Sequence, residues 1–382
     1  MNRTEFLYDL PDKQIAKHPV NPRHNSKLLQ HKHGTISHHS FLELDQLIPE
    51  KSQLVMNNAK VIPARIHCQK PTGASIEIFL LEPIDDYETC FSATDSCQWH
   101  VLVGNKKRWK EGSIFDISNR LEIRWVDREN NTVELKWKNG TSFSSLVESI
   151  GQIPIPPYLN RKNTAQDSLD YQTMYAKIAG SVAAPTAGLH FTKEVMARLS
   201  KKDVNLVETT LHVGAGTFKP VESENILEHN MHSERFEVRL EQVKSLMAHS
   251  APRFAVGTTS LRVLESLYLI GSKIKLGKAN PFIILQNDAP LAGLSYPESL
   301  EILAEYLEVN GDQLAATQIF IYPGKKVSSI DGLITNFHQP GSSLLMLIAT
   351  CIGKDWKRVY SEALKNQYRF LSYGDSSLLW LI

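Results

Sequence analysis

The sequence predicts a mixed α/β fold, an α/β main domain carrying an inserted all-β barrel. Three observations lead there. From about residue 65 to residue 150 the chain is a series of short β-branched and aromatic runs divided by turns. Beyond residue 150, helical and strand-like runs alternate. Between the two lies GQIPIPPYLNR (Gly151–Arg161), whose three prolines can continue neither a helix nor a central strand.

In chain order, LVMNNAKVIPARI (Leu54–Ile66) is strand-like and is expected to belong to the α/β body. SIEIFLLE, QWHVLVGN, SIFDIS, LEIRWVD and TVELKWK follow, many of them alternating in polarity. Turn-prone pieces such as Lys110–Glu111–Gly112, Glu129–Asn130–Asn131 and Asn139–Gly140 divide them. Such regular short strands argue for a compact antiparallel sheet or barrel. After the prolines, LDYQTMYAKIA and TKEVMARLSKKD read as helices and NLVETTLHV and RFAVGTT as strands. SLRVLESLYLI reads as a helix, followed by PFIILQ, the helical LEILAEYLEVN, and TQIFIYPG. That alternation predicts a largely buried sheet with helices packed on it. The expected division is a discontinuous α/β domain, residues 1–65 and 151–382, with an antiparallel β-barrel inserted at 66–150.

Composition narrows the function classes. The 382 residues are 42% hydrophobic and 22% charged, with a net charge of +1, so a nucleic-acid partner must be held by local basic patches. MNRTEFLYDLPDKQIAKHP mixes acids and bases without an apolar core and does not read as a signal peptide. The most apolar run, LLMLIATCIG (Leu344–Gly353), is too short to span a bilayer. Cys68, Cys90, Cys97 and Cys351 form no CxxC pair; they are expected as reduced thiols in a cytoplasmic protein.

GSVAAPTAGLHFT (Gly180–Thr192) fits neither an amphipathic strand nor a helix face. It suits either a tightly packed junction or a ligand lying against the main chain. With TLHVGAGTFKPV (Thr210–Val221), HNMHSE (His229–Glu234) and AVGTTSLRVLES (Ala255–Ser266), it closely resembles the S-adenosylmethionine:tRNA ribosyltransferase-isomerase family of queuosine biosynthesis. YDLPDKQIAKHP (from Tyr8), IPIPPYLNR (from Ile153), TNFHQPGSSLLML (from Thr335) and YRFLSYGD (from Tyr368) fall in the same order, so the resemblance covers nearly the whole chain.

The resemblance implies an α/β body with an inserted barrel, and transfer with isomerisation of the ribosyl part of S-adenosylmethionine. The acceptor it implies is a 7-aminomethyl-7-deazaguanine base at the tRNA wobble position. The products are epoxyqueuosine in tRNA, adenine and methionine. S-adenosylmethionine is then a consumed co-substrate; no metal is implied, no membrane is involved, and a monomer is expected. Two other readings remain open: an altered tRNA- or RNA-binding paralogue, and a transferase acting on another modified base. Both are prompted by departures from the family pattern. HQPGSS (His338–Ser343) stands where the family usually reads HLPKST, so Gly341 replaces a lysine. SKLL (Ser26–Leu29) stands for SRLL, which removes a bidentate donor, and the stretch Lys278–Gln313 is longer than the family's common form.

The chemistry needs a proton taken from the ribose carbon beside the sulfonium and a proton given to departing adenine, tasks suited to histidine. His190, His212, His232 and Glu234 are the catalytic candidates. For His190 and His212 the alternative is a core histidine bonded to backbone. His229, His232 and Glu234 also have metal-ligand types, but their spacing is not HExxH. The small residues Ala184, Pro185, Thr186 and Gly188 would let a nucleoside approach the backbone, with Phe191 as a stacking face. Gly214 and Gly216, around Ala215, would let a ligand approach N–H groups. Thr258, Thr259 and Ser260 stand where a helix N-cap is expected. With Arg262 they form either a seat for a methionine carboxylate or tRNA phosphate, or ordinary capping. For tRNA, Lys106, Lys107 and Arg108 in NKKRWK would meet phosphates and Trp109 would stack on a base, unless the run is a solvated loop. Arg161, His338 and Arg369 would extend that surface.

Overall fold

The computed structural model describes every residue except 215, 217–220, 222, 249, 250 and 382. The chain is mixed α/β. Its largest sheet has seven strands, in spatial order Asn205–Thr209, Gln53–Asn57, Arg253–Val256, Gly332–Asn336, Ser376–Trp380, Lys27–Lys32 and Thr35–Ser40. The first four run parallel; Ser376–Trp380 is antiparallel to Gly332–Asn336, and Lys27–Lys32 is parallel to Ser376–Trp380. Parallel strands need cover on both faces. Accordingly, all five residues of Gln53–Asn57 and all five of Gly332–Asn336 are buried. The long helix Gly257–Lys275 supplies much of that cover and packs in turn on the helix Tyr296–Asn310.

A closed six-stranded antiparallel barrel is formed by Arg65–Gln69, Ser75–Pro83, Ser96–Gly104, Ile114–Asp116, Leu121–Asp127 and Thr132–Trp137. Burial alternates along Ser75–Pro83, which is the period-two signal that made the strands readable. Ile66, Ile78, Trp99, Val101, Ile123 and Leu135 fill the interior, and closure leaves no unpaired edge.

Two segments differ from the sequence expectation. LDYQTMYAKIA is helical only as the end of Asp167–Asp170; the rest is turn leading to the strand Ile178–Ser181. Tyr171 is buried from that turn rather than from a helix face, so the spacing imitated amphipathicity. The helix after RFAV begins at Gly257, with Val256 as N-cap and no side-chain cap bond. Ser260, expected near the cap, instead donates from Oγ to the Val256 carbonyl at 2.9 Å.

Candidate functional site

In open α/β sheets, ligands bind beyond the carboxyl ends of the parallel strands. Here Arg253–Val256 runs into Gly257–Thr259 and Gly332–Asn336 runs into Phe337–Gln339. Gly257–Thr259, Thr335, Asn336 and Phe337–Gln339 line a cleft of about 750 Å³, its open mouth included. Ala183, Ala184, Pro185, Thr186 and Ala187 form another wall, and Tyr158, Tyr171 and Phe337 give it aromatic surface. The candidates Ala184, Pro185, Thr186, Thr258, Thr259 and His338 therefore share one cleft. Thr259 Oγ1 is buried there without a partner, and the first turn of Gly257–Lys275 faces it with no capping side chain. Free first-turn N–H groups with an uncompensated helix dipole favour an anionic or strongly polar ligand.

His338 is held from three sides. Its Nε2 shares a 2.9 Å hydrogen bond with Thr335 Oγ1, its N–H donates to the Tyr360 hydroxyl at 3.0 Å, and its carbonyl accepts from the Tyr8 hydroxyl. Burial pushes its pKa down to about 4, so the ring is neutral at pH 7.

A second cluster lies next to the cleft, sharing Leu344 with it. Buried Glu234 accepts from Arg262 Nη1 on Oε2, from Gly214 N–H at 3.1 Å on Oε1, and faces His232 Nε2 at 3.1 Å. Burial alone would raise the Glu234 carboxyl; Arg262, and then His232, hold it down at about 2. The half-exposed His232 is thus oriented by a permanently charged carboxylate, the arrangement a general acid–base histidine needs. A Cβ built on Gly216 would lie 2.4 Å from His232 Cγ, so this glycine makes room for the imidazole. Ala215, between the two glycines, lies outside the described residues.

The remaining candidates stand apart. His190 is behind the cleft wall, its Nδ1 sharing a 2.8 Å bond with Ser26 Oγ and its ring beside the cleft-lining Asn336. It lines a small cavity with Arg23, Arg369 and Ser372. Burial pushes its pKa to about 4, with Asp375 pulling the other way. His212 stacks on Tyr87 of the barrel segment at 4.1 Å, and burial followed by the Arg235 charge brings it to about 4. Gly188 is needed by Tyr175, whose hydroxyl would be 1.9 Å from a Cβ there.

Three expectations are corrected. Phe191 is buried against Phe41 and Tyr175 and offers the cleft no stacking face. Trp109 is buried, stacked on Trp125 at 4.2 Å, with Nε1 donating to the Gly112 carbonyl at 2.9 Å, so it offers no face to an RNA base. Thr258 and Thr259 are not caps. Lys27, in the altered SKLL, donates to the carbonyls of Asn366 and Gln367 and is not among the residues lining the cleft.

Arg161 is paired with buried Asp167 and Arg369 with Asp375. Lys106 donates to the Arg128 carbonyl and Asn131, while Lys107 and Arg108 are exposed. Among the described residues, no group of three or more His, Cys, Asp or Glu is placed to hold a metal ion, and no helix is long and apolar enough to cross a membrane. Sequence reasoning missed Tyr158, Thr335, Asn336 and Ser372 as lining residues, although each lies inside or beside a motif already singled out.

From residue 3 to residue 379 the chain matches the family described as queuosine biosynthesis protein. An S-adenosylmethionine:tRNA ribosyltransferase-isomerase of Sulfurihydrogenibium sp. is 37% identical, over 99% of this chain and 100% of that one. One from Legionella pneumophila (strain Lens) is also 37% identical at the same coverage. A solved S-adenosylmethionine tRNA ribosyltransferase from Thermotoga maritima is 29% identical, covers 98% of this chain and 99% of its own, and superposes with a TM-score of 0.48. On the family match across the chain and the two full-length relatives at 37% identity, the chain belongs to the S-adenosylmethionine:tRNA ribosyltransferase-isomerase family of queuosine biosynthesis.

Proposed function

We propose that this protein transfers and isomerises the ribosyl moiety of S-adenosylmethionine onto 7-aminomethyl-7-deazaguanine at the tRNA wobble position, releasing adenine and methionine and leaving epoxyqueuosine in the tRNA. The observation that carries this reading is an aromatic-lined cleft that shares Leu344 with a pocket holding a histidine oriented by a buried carboxylate. The cleft takes the adenosyl part between Ala184–Thr186 and Thr258–Thr259. His232, held by Glu234, lines the small pocket beside the cleft, and it moves the proton at the ribose carbon made acidic by the sulfonium. His190, His212 and His338, kept neutral by burial, act as hydrogen-bonding groups rather than as charges. Exposed Lys107 and Arg108 meet tRNA phosphates. Residues 66–150 act as an inserted domain, a division supported by a barrel that closes on itself while strands from both flanks enter one sheet. The setting is cytoplasmic, where the tRNA is, and the unit is a monomer.

The test is turnover. Purified protein, S-adenosylmethionine and tRNA bearing the aminomethyl base are mixed, and adenine and nucleoside mass are followed. Adenine with an epoxyqueuosine mass is the expected result. Bound tRNA without adenine would favour a binding protein, and adenine released without tRNA would favour a transferase with another acceptor.

A further inference from the structure

Arg262 has a use that its pairing with Glu234 does not exhaust. Its side chain is only 7% exposed. Nη1 donates to Glu234, but Nε and Nη2 have no partner among the described residues. Those two nitrogens form one flat edge of the guanidinium, the edge that grips a planar oxyanion with two parallel N–H bonds. Buried charged donors are nearly always satisfied in folded proteins, so an unfilled fork points to a missing partner.

The residues around the fork show what fits. Arg262 lines a small pocket with Met231, His232, Phe320, Ser343 and Leu344. Most of the wall is apolar, so an entering oxyanion has one strong partner. Ser343 opens the helix Ser343–Ile352, which adds the positive end of a helix dipole on the same side. Leu344 belongs to both this pocket and the large cleft. Thr258 and Thr259, which line the cleft, precede Arg262 by one turn of the same helix, placing all three on one face. The cleft and the small pocket therefore lie side by side, with Leu344 as a wall of both.

The geometry points to Arg262 as the seat of the α-carboxylate of S-adenosylmethionine, gripped side-on through Nε–H and Nη2–H. This rests on the reading that the cleft takes S-adenosylmethionine. Glu234 pins the opposite end of the guanidinium and fixes the direction of the fork. Its negative charge also complements the ammonium and sulfonium that accompany the carboxylate.

Decarboxylated S-adenosylmethionine lacks only the proposed handle. Calorimetric titration of the full chain, with tRNA lacking the aminomethyl base present, compares it with S-adenosylmethionine itself. The wild-type protein is expected to bind the decarboxylated ligand about 10- to 100-fold more weakly. In Arg262→Lys, which keeps a cation for Glu234 but loses the fork, the two ligands should differ by less than about threefold, with tRNA affinity unchanged. Equal affinities in the wild-type protein overturn the proposal without recourse to any variant. Loss of tRNA affinity in Arg262→Lys, with no discrimination between the ligands, would assign the fork to a phosphate and equally overturn it. Should the wild-type protein bind neither ligand, the substrate reading falls first and takes this inference with it.

Discussion

At the scale of single residues, the site depends on space as much as on charge. Gly216 is where His232 lies, and a methyl group there would displace the imidazole from Glu234. Gly216→Ala should therefore lower kcat at least tenfold, while the urea midpoint changes little because the residue is near the surface. A variant with full turnover would remove His232 from the proton-transfer role. Burial sets a second residue-level expectation. His190, His212 and His338 are each brought to about 4 from an ordinary 6.5. Between those values the unfolded chain binds protons that the folded chain does not, so stability rises with pH across that window. Acidification from pH 7 to 4 should remove up to about 3 kcal/mol per histidine. Glu234, held at about 2 against an ordinary 4.5, adds a further loss as pH falls below 4.5. Urea midpoints measured at pH 7, 5.5 and 4 should fall steadily; a level midpoint down to pH 5 would contradict burial of these rings in neutral form.

At the scale of elements, the informative places are helix starts. The sequence AVGTTSLRVLES reads as strand, cap and helix, because Thr and Ser are favoured caps. The helix instead begins at Gly257 and leaves the two threonines in its first turn, facing the cleft. Local propensity indicates the presence of a helix start but not its register. The altered HQPGSS gives a second case. Gly341 has a φ of +67°, its N–H donates to the Phe6 carbonyl at 2.9 Å, and a Cβ would approach Leu7 Cδ2 to 3.2 Å. Glycine suits that left-handed position, so the departure from the family's lysine has a backbone reason. Gly341→Lys should cost about 1–2 kcal/mol, read as a lower urea midpoint. A stabilised variant would mean that the turn readily adopts another conformation and that glycine is not structurally required there.

At the scale of the whole molecule, the barrel was legible because its signal is local: alternating strands and turn residues repeat within each short segment. The cleft was legible only in part, because it assembles Tyr158, Ala184, Thr258, Asn336 and Ser372 from chain segments far apart, and no local period records which strand ends meet. The basic run in NKKRWK shows the same limit in reverse. As a sequence it is four cations and an indole; folded, Trp109 is core and Lys106 is tied to the Arg128 carbonyl and Asn131. What remains for a polyanion is Lys107 and Arg108, exposed on a short turn of the barrel segment, and exposed Lys110 just after it. Because the net charge is only +1, long-range attraction contributes little and each local phosphate contact should appear in the salt dependence. Reversing both, Lys107→Glu with Arg108→Glu, should weaken tRNA binding by about tenfold or more at low salt. It should also flatten the slope of log affinity against log salt by about 1.5, two contacts at roughly 0.7 to 0.9 each. S-adenosylmethionine binding should be unchanged, since neither residue lines the cleft. An unaltered salt slope would move the tRNA-binding surface off this turn and onto other basic residues of the body.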